Sequence, residues 1–187
     1  SYDSNVPKPM CHRTTPLIEA GVNKRFEGMT IGQVKKMLGT KMDKLPTKPP
    51  VVLRAASIPA SFDSRTQWPD CIHPIRDQQQ CGSCWAFGAT EAFSDRLCIA
   101  SNGKINVVLS PEDLVSCDQS DYGCQGGYLE NAWQFMAETG VVTDACFPYT
   151  AGGGEAAECA TTCADGSDWS PYYVRADSIQ QYSDVQS

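Results

Sequence analysis

The distribution of cysteines constrains this chain more than any other feature of its sequence. Ten cysteines occur in 187 residues, and nine of them follow Ile58. Cytosolic proteins rarely hold so many, because a reducing compartment keeps disulfides from stabilising a fold. Pairing eight of the nine leaves one thiol free, although the sequence alone leaves the connectivity open. We therefore expect a disulfide-stabilised protein of the secretory pathway, whose signal peptide has been removed, with one free cysteine.

Charge narrows the classes of partner. The net charge is −7, which disfavours nucleic acid or an anionic membrane as a partner. Residues 1–57 hold ten Lys/Arg against four Asp/Glu, whereas residues 58–187 hold five against eighteen. Segments of opposite charge predict two parts that attract each other. No apolar run approaches the roughly 18 residues of a membrane span, so none is expected.

Capping residues and apolar spacing predict several helices. A short helix is expected over Thr30–Gly39, with Ile31, Val34, Met37 and Leu38 on one face and Gly39 ending it. A basic segment with three prolines follows over 41–50 and is typical of an extended linker. We place a domain boundary near Ile58.

Three helices are predicted after that boundary. Cys84–Ala100 is apolar around much of its circumference, as a buried helix requires. A second helix begins at Ser110, with Pro111 in the first turn and Asp113 completing a variant of the capping box. A third covers 129–139, with Trp133 and Met136 directed inward and Gly140 ending it. Residues after Trp169 have strand-like composition.

The stretch 78–87 reads Gln-Gln-Gln-Cys-Gly-Ser-Cys-Trp-Ala-Phe. Cys84 begins the predicted buried helix, where the helix dipole and free N–H groups favour a thiolate. An oxyanion formed by attack on a carbonyl needs preorganised donors, and the Cys84 N–H and the Gln78 side-chain amide are candidates. Gly82 and Ser83 are small enough to let a peptide backbone approach.

Two alternatives exist for the Cys81-x-x-Cys84 spacing. A thioredoxin-type redox pair follows a strand within a βαβ unit, and no such pattern precedes Cys81. A zinc site needs four ligands, and the other cysteines form no second close pair of this kind. We therefore expect neither a redox motif nor a metal site.

The block Cys81–Trp85 resembles the sequence around the nucleophile of papain-like cysteine peptidases. Further blocks resemble cathepsin B: 58–65 (Ile-Pro-Ala-Ser-Phe-Asp-Ser-Arg), 94–99 (Ser-Asp-Arg-Leu-Cys-Ile) and 124–128 (Cys-Gln-Gly-Gly-Tyr). Asn23-Lys24-Arg25 and Leu38-Gly39-Thr40 are similar to the short prosegment of that type. The chain is thus identified as similar to the cathepsin B-like members of the papain family.

The resemblance implies an α+β papain-like fold, with the mainly helical left-hand domain present and the β-rich right-hand domain mostly missing. Residues 1–57 would be an inhibitory propeptide that runs along the cleft in reverse, and 58–187 the N-terminal part of the peptidase domain. The family also implies a monomeric lysosomal or secreted zymogen. Its partners would be protein and peptide substrates and its own propeptide, and it would need no cofactor.

Family resemblance also assigns roles to individual residues. Cys84 would be the nucleophile and Gln78 the oxyanion donor, although Gln78 could be an ordinary surface glutamine. Gly126 and Gly127 would bind the substrate backbone, or merely form a turn. Tyr128 and Leu129 would shape the non-primed subsites, or only pack. The implied disulfides are Cys71–Cys98, Cys81–Cys124, Cys117–Cys159 and Cys146–Cys163, which leaves Cys84 free and Cys11 without an assigned partner.

The sequence departs from the family in its histidines. The catalytic histidine and asparagine are expected about 130–150 residues after the nucleophile, but 103 residues follow Cys84 and none is a histidine. His12 lies in the expected prosegment, and His73 precedes the nucleophile and is expected to be structural. We therefore expect a fragment of an active cysteine endopeptidase. The alternative is a catalytically inactive half-domain that acts as a binding or scaffold protein.

Two further expectations concern activity and its control. The region 145–168 is short and holds no histidine, whereas cathepsin B trims dipeptides with a paired-histidine loop, so we expect an endopeptidase without strong dipeptide trimming. Protonation of carboxylates as pH falls toward about 4 would weaken the attraction between the two charged segments and release the propeptide. Alternatively, the lysines only keep a leader soluble.

Overall fold

The computed structural model of this protein describes residues 23–42 and 61–179. Cys11, His12, most of the expected linker and the boundary near Ile58 lie outside these residues. The strands are two-residue pieces, β1 (Thr40–Lys41) and β2 (Gly127–Tyr128), which pair in parallel. The helices are α1 (Ile31–Met37), α2 (Ser64–Gln67), α3 (Cys84–Ala100), α4 (Pro111–Cys117) and α5 (Leu129–Glu138).

Helix α3 forms the centre of the core and has the bounds that the sequence predicts. Eight of its residues are buried, and Trp85 is fully so. It packs against α4 and α5, where Leu114 and Met136 are also fully buried. Truncation of a buried tryptophan costs about 3–5 kcal/mol. The rigid packing of α3 therefore fixes the position of Cys84 at its first turn.

The start of α4 corrects one detail of the sequence analysis. Ser110 caps the helix as predicted, because its side chain accepts the Asp113 N–H at 3.0 Å. The reciprocal half of the capping box is wrong, since the Ser110 N–H donates to the Val142 carbonyl. The Asp113 carboxylate instead accepts the Val142 N–H at 3.0 Å. Pairing with residue 142 thus replaces the local bond that the spacing predicts.

Helix α1 begins at its predicted cap but buries less than the sequence predicts. Thr30 and Gln33 form a full capping box. Of the predicted apolar face, Met37 is buried, whereas Ile31 and Leu38 are 76% and 70% exposed. The helix ends at Met37, two residues before Gly39. Gly39 is required for another reason, because a Cβ there would lie 1.6 Å from the Gly82 carbonyl oxygen.

Helix α5 follows the prediction closely. Met136 is fully buried, and Trp133 packs against the same core at partial exposure. Gly140 has a φ of 80°, a left-handed conformation that suits glycine after a helix. The strand-like composition after Trp169 produces one isolated bridge, Val141 to Tyr172, within the described residues. A β-ladder needs consecutive paired residues on two strands, and among residues 171–179 only Tyr172 forms such a pair.

Four disulfides join the loops around this helical core. They are Cys71–Cys98, Cys81–Cys124, Cys117–Cys159 and Cys146–Cys163, the same pairs that the family resemblance implies. Each closes a loop of 17 to 43 residues, which is worth roughly 3–4 kcal/mol by loop-closure entropy. Cys84 is the free cysteine of the described part. None of the described helices is long and apolar enough to cross a membrane.

Candidate active site

Cys84 lies at the start of α3 in a loop that tertiary contacts hold in place. The preceding residues are tied to the loop before β2 by the Cys81–Cys124 disulfide and by the Gly82 N–H, which donates to the Cys124 carbonyl at 3.0 Å. Gly82 has no room for a side chain, because a Cβ would lie 2.5 Å from that same carbonyl oxygen. The thiol therefore projects from a rigid corner at partial exposure.

The side chain of Gln78 is fixed by two backbone carbonyls. Its Nε2 donates to the Cys81 carbonyl at 2.8 Å and to the Met37 carbonyl at 2.7 Å. The first bond orients the amide within its own loop. The second bond donates the other amide proton to an oxygen atom from outside that loop, so this proton becomes available once the N-terminal segment leaves. Such a donor beside a nucleophile is what an oxyanion requires.

The N-terminal segment, residues 23–42, lies directly on the thiol. The Gly39 N–H donates to Cys84 Sγ at 3.1 Å, and the Thr40 hydroxyl oxygen is also 3.1 Å from Sγ. Beside these contacts is a cavity of about 500 Å³, whose lining includes Phe26, Leu38, Ile75 and Cys84. The nucleophile candidate is thus covered by backbone from a distant part of the chain.

The two predicted backbone-binding glycines face the same segment. The Gly127 N–H donates to the Gly39 carbonyl at 2.8 Å. A Cβ on Gly126 would lie 2.4 Å from that carbonyl oxygen, and its φ of 107° also favours glycine. A Cβ on Gly127 would meet the Trp85 ring at 2.6 Å. Gly126 therefore needs glycine so that another backbone can approach β2, whereas Gly127 needs glycine so that β2 can pack on the Trp85 ring.

The remaining predicted binding residues differ in their placement. Tyr128 is half-buried and lies opposite Lys41 in the β1–β2 pair. Leu129 begins α5 and is 43% exposed. Ser83 is fully buried, and its hydroxyl bonds to Tyr149 rather than lining the cleft surface.

Tyr149 is a positioning residue that sequence reasoning missed. Its hydroxyl is 2.8 Å from Ser83 Oγ and donates to the Gln78 carbonyl at 2.9 Å. Its ring packs edge-on against Phe87, with centroids 4.7 Å apart. One hydroxyl thus joins the residue before Cys84 to the residue that carries the amide donor. Burial is the main cause that raises the pKa of Tyr149, so the hydroxyl keeps its proton as a donor.

Two interactions anchor the ends of the N-terminal segment. Arg25 forms an ion pair with Asp77 at 2.7 Å and also donates to the Gln79 carbonyl. The Gln79 N–H and the Arg25 guanidinium lower the pKa of the Asp77 carboxyl. At the other end, Lys41 Nζ lies 3.4 Å from the centroid of the Tyr122 ring.

Neither nitrogen of His73 is directed at Cys84. Its Nδ1 is 2.7 Å from Asp95 Oδ1, and its Nε2 is 2.9 Å from Asn106 Oδ1. Asn106 Nδ2 donates to the Asp70 carbonyl, which fixes the amide oxygen toward the ring. His73 therefore joins the loop after α2 to α3, as expected of a structural histidine.

Buried carboxylates lie near the cleft. The pKa of Asp118 is raised to about 6, mainly by burial and also by the neighbouring Asp121, while the Ser120 N–H acts to lower it. Asp121 Oδ1 accepts the Tyr128 N–H at 2.8 Å. Asp113, in the first turn of α4, also has its pKa raised to about 6 by burial. The Asp118–Asp121 pair supports the end of β2 from within.

Comparisons with known proteins agree with this geometry. Residues 58–187 match the papain family cysteine protease domain. The chain is 41% identical over 172 residues to cathepsin B-like CP3 of Giardia intestinalis, covering 89% of this chain and 57% of that protein. It is 48% identical over 137 residues to cathepsin B-like cysteine proteinase 4 of Caenorhabditis elegans, covering 65% of this chain and 41% of that protein. The chain thus spans about half the length of these relatives.

A solved structure shows the same fold. The proCathepsin B S9 structure from Trypanosoma congolense superposes with a TM-score of 0.67 at 30% identity, over 78% of this chain and 53% of that chain. The helix-rich core around α3 is accordingly the helical part of an α+β papain-like fold. With the match over residues 58–187, these similarities show that the chain belongs to the papain family of cysteine proteases and is similar to its cathepsin B-like members.

Proposed function

We propose that this chain is the N-terminal part of a cysteine endopeptidase zymogen in which Cys84 is the nucleophile. The observation that carries the proposal is the cover on the thiol. The N-terminal segment contacts Cys84 Sγ, the Gln78 amide and the Gly127 N–H, which are the three groups that a peptide substrate would need. A segment that covers these three groups at the same time is the arrangement expected of a latent peptidase.

In the proposed reaction the Cys84 sulfur attacks the carbonyl carbon of a peptide bond. The carbonyl oxygen becomes an oxyanion between the Cys84 N–H and the Gln78 Nε2, and a thioester forms as the amine leaves with a proton. Water then releases the acid and regenerates the thiol. No metal or organic cofactor takes part. Gly127 would align the substrate backbone through the N–H that now binds the Gly39 carbonyl.

This reaction requires a base that receives the thiol proton. Both histidines of the sequence, His12 and His73, precede Cys84, and His73 is held by Asp95 and Asn106. We infer that the imidazole and the residue that orients it belong to the half of the relatives' length that this chain does not span. The 187 residues alone would then label at Cys84 but not hydrolyse peptides at an enzyme's rate.

Residues 1–57 are proposed to be the propeptide, with the boundary near Ile58. The family match beginning at residue 58 supports this division, and so does the proform of the related structure. The parallel pairing of β1 with β2 supports a reversed course along the cleft. Because an N–H rather than a carbonyl carbon faces Cys84 Sγ at Gly39, the segment would block the thiol without being cleaved there.

Compartment and cleavage mode follow from the same residues. Four disulfides suit the secretory or endolysosomal pathway, and we propose one of these locations for a monomeric enzyme acting on proteins and peptides. The sequence between 145 and 168 offers no histidine to hold a substrate carboxylate. We therefore propose internal cleavage without strong release of C-terminal dipeptides.

The test uses the protein encoded by the whole native reading frame, after acid activation. An internally quenched peptide with a blocked C-terminus should be hydrolysed by the wild type and not by Cys84→Ala, while release of a C-terminal dipeptide from an unblocked peptide should be slow. His73→Gln is the control and should keep the activity. Equal hydrolysis by Cys84→Ala would refute the proposal. Peptide binding without any hydrolysis would favour the alternative of a binding protein.

A further inference from the structure

The proposed reaction makes no use of a fully buried carboxylate in the first turn of α4. This group belongs to Glu112, which is 0% exposed. Its Oε2 accepts the Thr150 N–H at 2.7 Å and the Ala151 N–H at 3.0 Å, and its Oε1 accepts the Ala157 N–H at 3.2 Å. A carboxylate inside a protein is costly unless hydrogen bonds offset its lost hydration. Glu112 therefore fixes the backbone of the loop to which these N–H groups belong.

The start of that loop, residues 149–152, binds the turn that carries the proposed oxyanion donor. The Tyr149 hydroxyl donates to the Gln78 carbonyl at 2.9 Å, and the Gln80 N–H donates to the Gly152 carbonyl at 3.0 Å. The two N–H groups bound by the buried Oε2 lie between Tyr149 and Gly152 in the chain. The 149–152 loop is thus held by the carboxylate on one side and holds the turn on the other.

The backbone of this turn is strained at Gln79. Its φ of 57° lies in the left-handed region, which residues other than glycine seldom adopt. Such a conformation persists only where the surrounding contacts hold it. The Gln79 N–H donates to Asp77 Oδ1 at 2.8 Å, and an added Cβ on Gly152 would lie 2.5 Å from the Gln79 side-chain oxygen. If the 149–152 loop shifted, the turn would relax and the Gln78 amide would lose its fixed orientation.

We propose that Glu112 is a positioning residue for the oxyanion donor, because its grip on the 149–152 loop keeps the Gln78 amide in the orientation that acyl transfer needs. This inference rests on the proposed peptidase function, since it names a further residue on which that reaction depends. A donor stabilises the developing oxyanion only when it is already oriented toward it. A displacement of about 1 Å can cost roughly 100-fold in rate. Glu112 touches no substrate and acts only through the loop.

The test compares two reactions of Cys84 in the activated protein of the whole native reading frame. Hydrolysis of a peptide p-nitroanilide passes through an oxyanion. Alkylation by iodoacetamide does not, because the sulfur bonds to the methylene carbon as the carbon–iodine bond breaks and iodide leaves. The ratio of kcat/KM for hydrolysis to the rate constant for alkylation therefore reports the oxyanion donor. A loss of folded protein or of thiol reactivity lowers both rates and cancels in this ratio.

Two variants at the same position separate reach from charge. Glu112→Asp keeps the charge but shortens the side chain, so the ratio should fall roughly tenfold through kcat, with KM nearly unchanged. Glu112→Gln keeps an oxygen at the reach of the Thr150 and Ala151 N–H groups and should keep the wild-type ratio. Asp113→Asn changes the neighbouring buried carboxylate of the same turn, which binds the Val142 N–H instead of the loop. It is the control and should also keep the ratio.

The route of the effect is tested by removing the donor itself. In a Gln78→Ala background, Glu112→Asp should lower the ratio no further, because the two changes act on one group. A wild-type ratio in Glu112→Asp, an equal fall in Glu112→Gln, or a full further fall in the Gln78→Ala background would overturn this inference alone. A wild type that is alkylated at Cys84 but hydrolyses no peptide would overturn the proposed function and this inference with it.

Discussion

Replacing Gly39 with alanine is expected to uncover the Cys84 thiol. An alanine Cβ would lie 1.6 Å from the Gly82 carbonyl oxygen and 2.3 Å from its carbonyl carbon. Both atoms belong to backbone that the Cys81–Cys124 disulfide and the Gly82–Cys124 hydrogen bond hold in place. The loop therefore cannot yield, and the N-terminal segment has to move away.

The size of the effect follows from the bonds that this displacement breaks. The segment would lose its hydrogen bonds to the Gly127 N–H, the Gln78 amide and Cys84 Sγ. At about 1 kcal/mol each, the covered state loses about 3 kcal/mol, which raises the population of the open state roughly 100-fold. The rate of Cys84 reaction with a small chromogenic disulfide reports that population and should rise by the same factor.

Gly32→Ala is the matched control for this experiment. Gly32 lies in α1 of the same segment, and the nearest atom to an added Cβ is Thr30 Oγ1 at 3.9 Å. Its labelling rate should equal that of wild type or fall slightly, since alanine favours the helix. If Gly39→Ala reacted no faster than Gly32→Ala, with both proteins folded by circular dichroism, the described contact between the segment and the thiol would be refuted.

Three other substitutions test separate parts of the structure. Arg25→Gln removes an exposed ion pair worth at most about 1 kcal/mol, so labelling of Cys84 should rise no more than about fivefold. Because the pKa of Asp77 is lowered, the carboxylate stays charged at mildly acidic pH. The difference in labelling from wild type should therefore persist there and vanish only below the usual titration range of an aspartate. Tyr149→Phe keeps the ring but removes the partner of the buried Ser83 hydroxyl and of the part-buried Gln78 carbonyl. Thermal unfolding should therefore show a loss of about 1–3 kcal/mol, and no loss would contradict the hydroxyl's role. Asp118→Asn should flatten the pH dependence of the free energy of unfolding. A pKa raised from 3.8 to about 6 makes wild type lose up to about 3 kcal/mol of stability as pH rises from 4 to 6. Equal slopes of stability against pH for the two proteins would count against a raised pKa.

Local signals predicted the helical frame well. The bounds of α3, the Ser110 cap and the stop at Gly140 are encoded within a few residues, through apolar spacing and backbone conformation. The burial of α1 was predicted less well, because the side chains of its apolar face that become buried depend on the surface against which the helix packs. That surface is the cleft, where the helix contributes the Met37 carbonyl rather than a row of side chains.

The sequence identified the residues that line the candidate site but not the residues that support them. The motif around Cys84 indicates a nucleophile, an amide donor and glycines for close approach, and the structure brings these groups together. The Tyr149 hydroxyl bonds to Ser83 and Gln78, which lie 66 and 71 positions earlier in the sequence. No periodicity in a sequence predicts such a bond. The same holds for the contact of Lys41 with the Tyr122 ring, since these two residues lie far apart in the sequence.

The opposite charges of the two segments also meet in a way that composition does not specify. Among the described residues, the N-terminal segment uses Arg25 for its ion pair with Asp77, while Lys41 meets aromatic rings. An acid-driven release through Asp77 protonation and a release through loss of the Lys41 contact therefore have different pH dependence. The release of the segment at low pH stays a prediction.

The most direct test of the account is to trap the covalent intermediate. The activated protein of the whole native reading frame would be mixed with an ester substrate, quenched in acid during turnover, digested and analysed by mass spectrometry. The account predicts an acyl group on the peptide that contains Cys84 of the wild type, and neither adduct nor turnover in Cys84→Ala. Turnover with the acyl group on another residue, or with equal rate in Cys84→Ala, would contradict the assignment of Cys84 as the nucleophile.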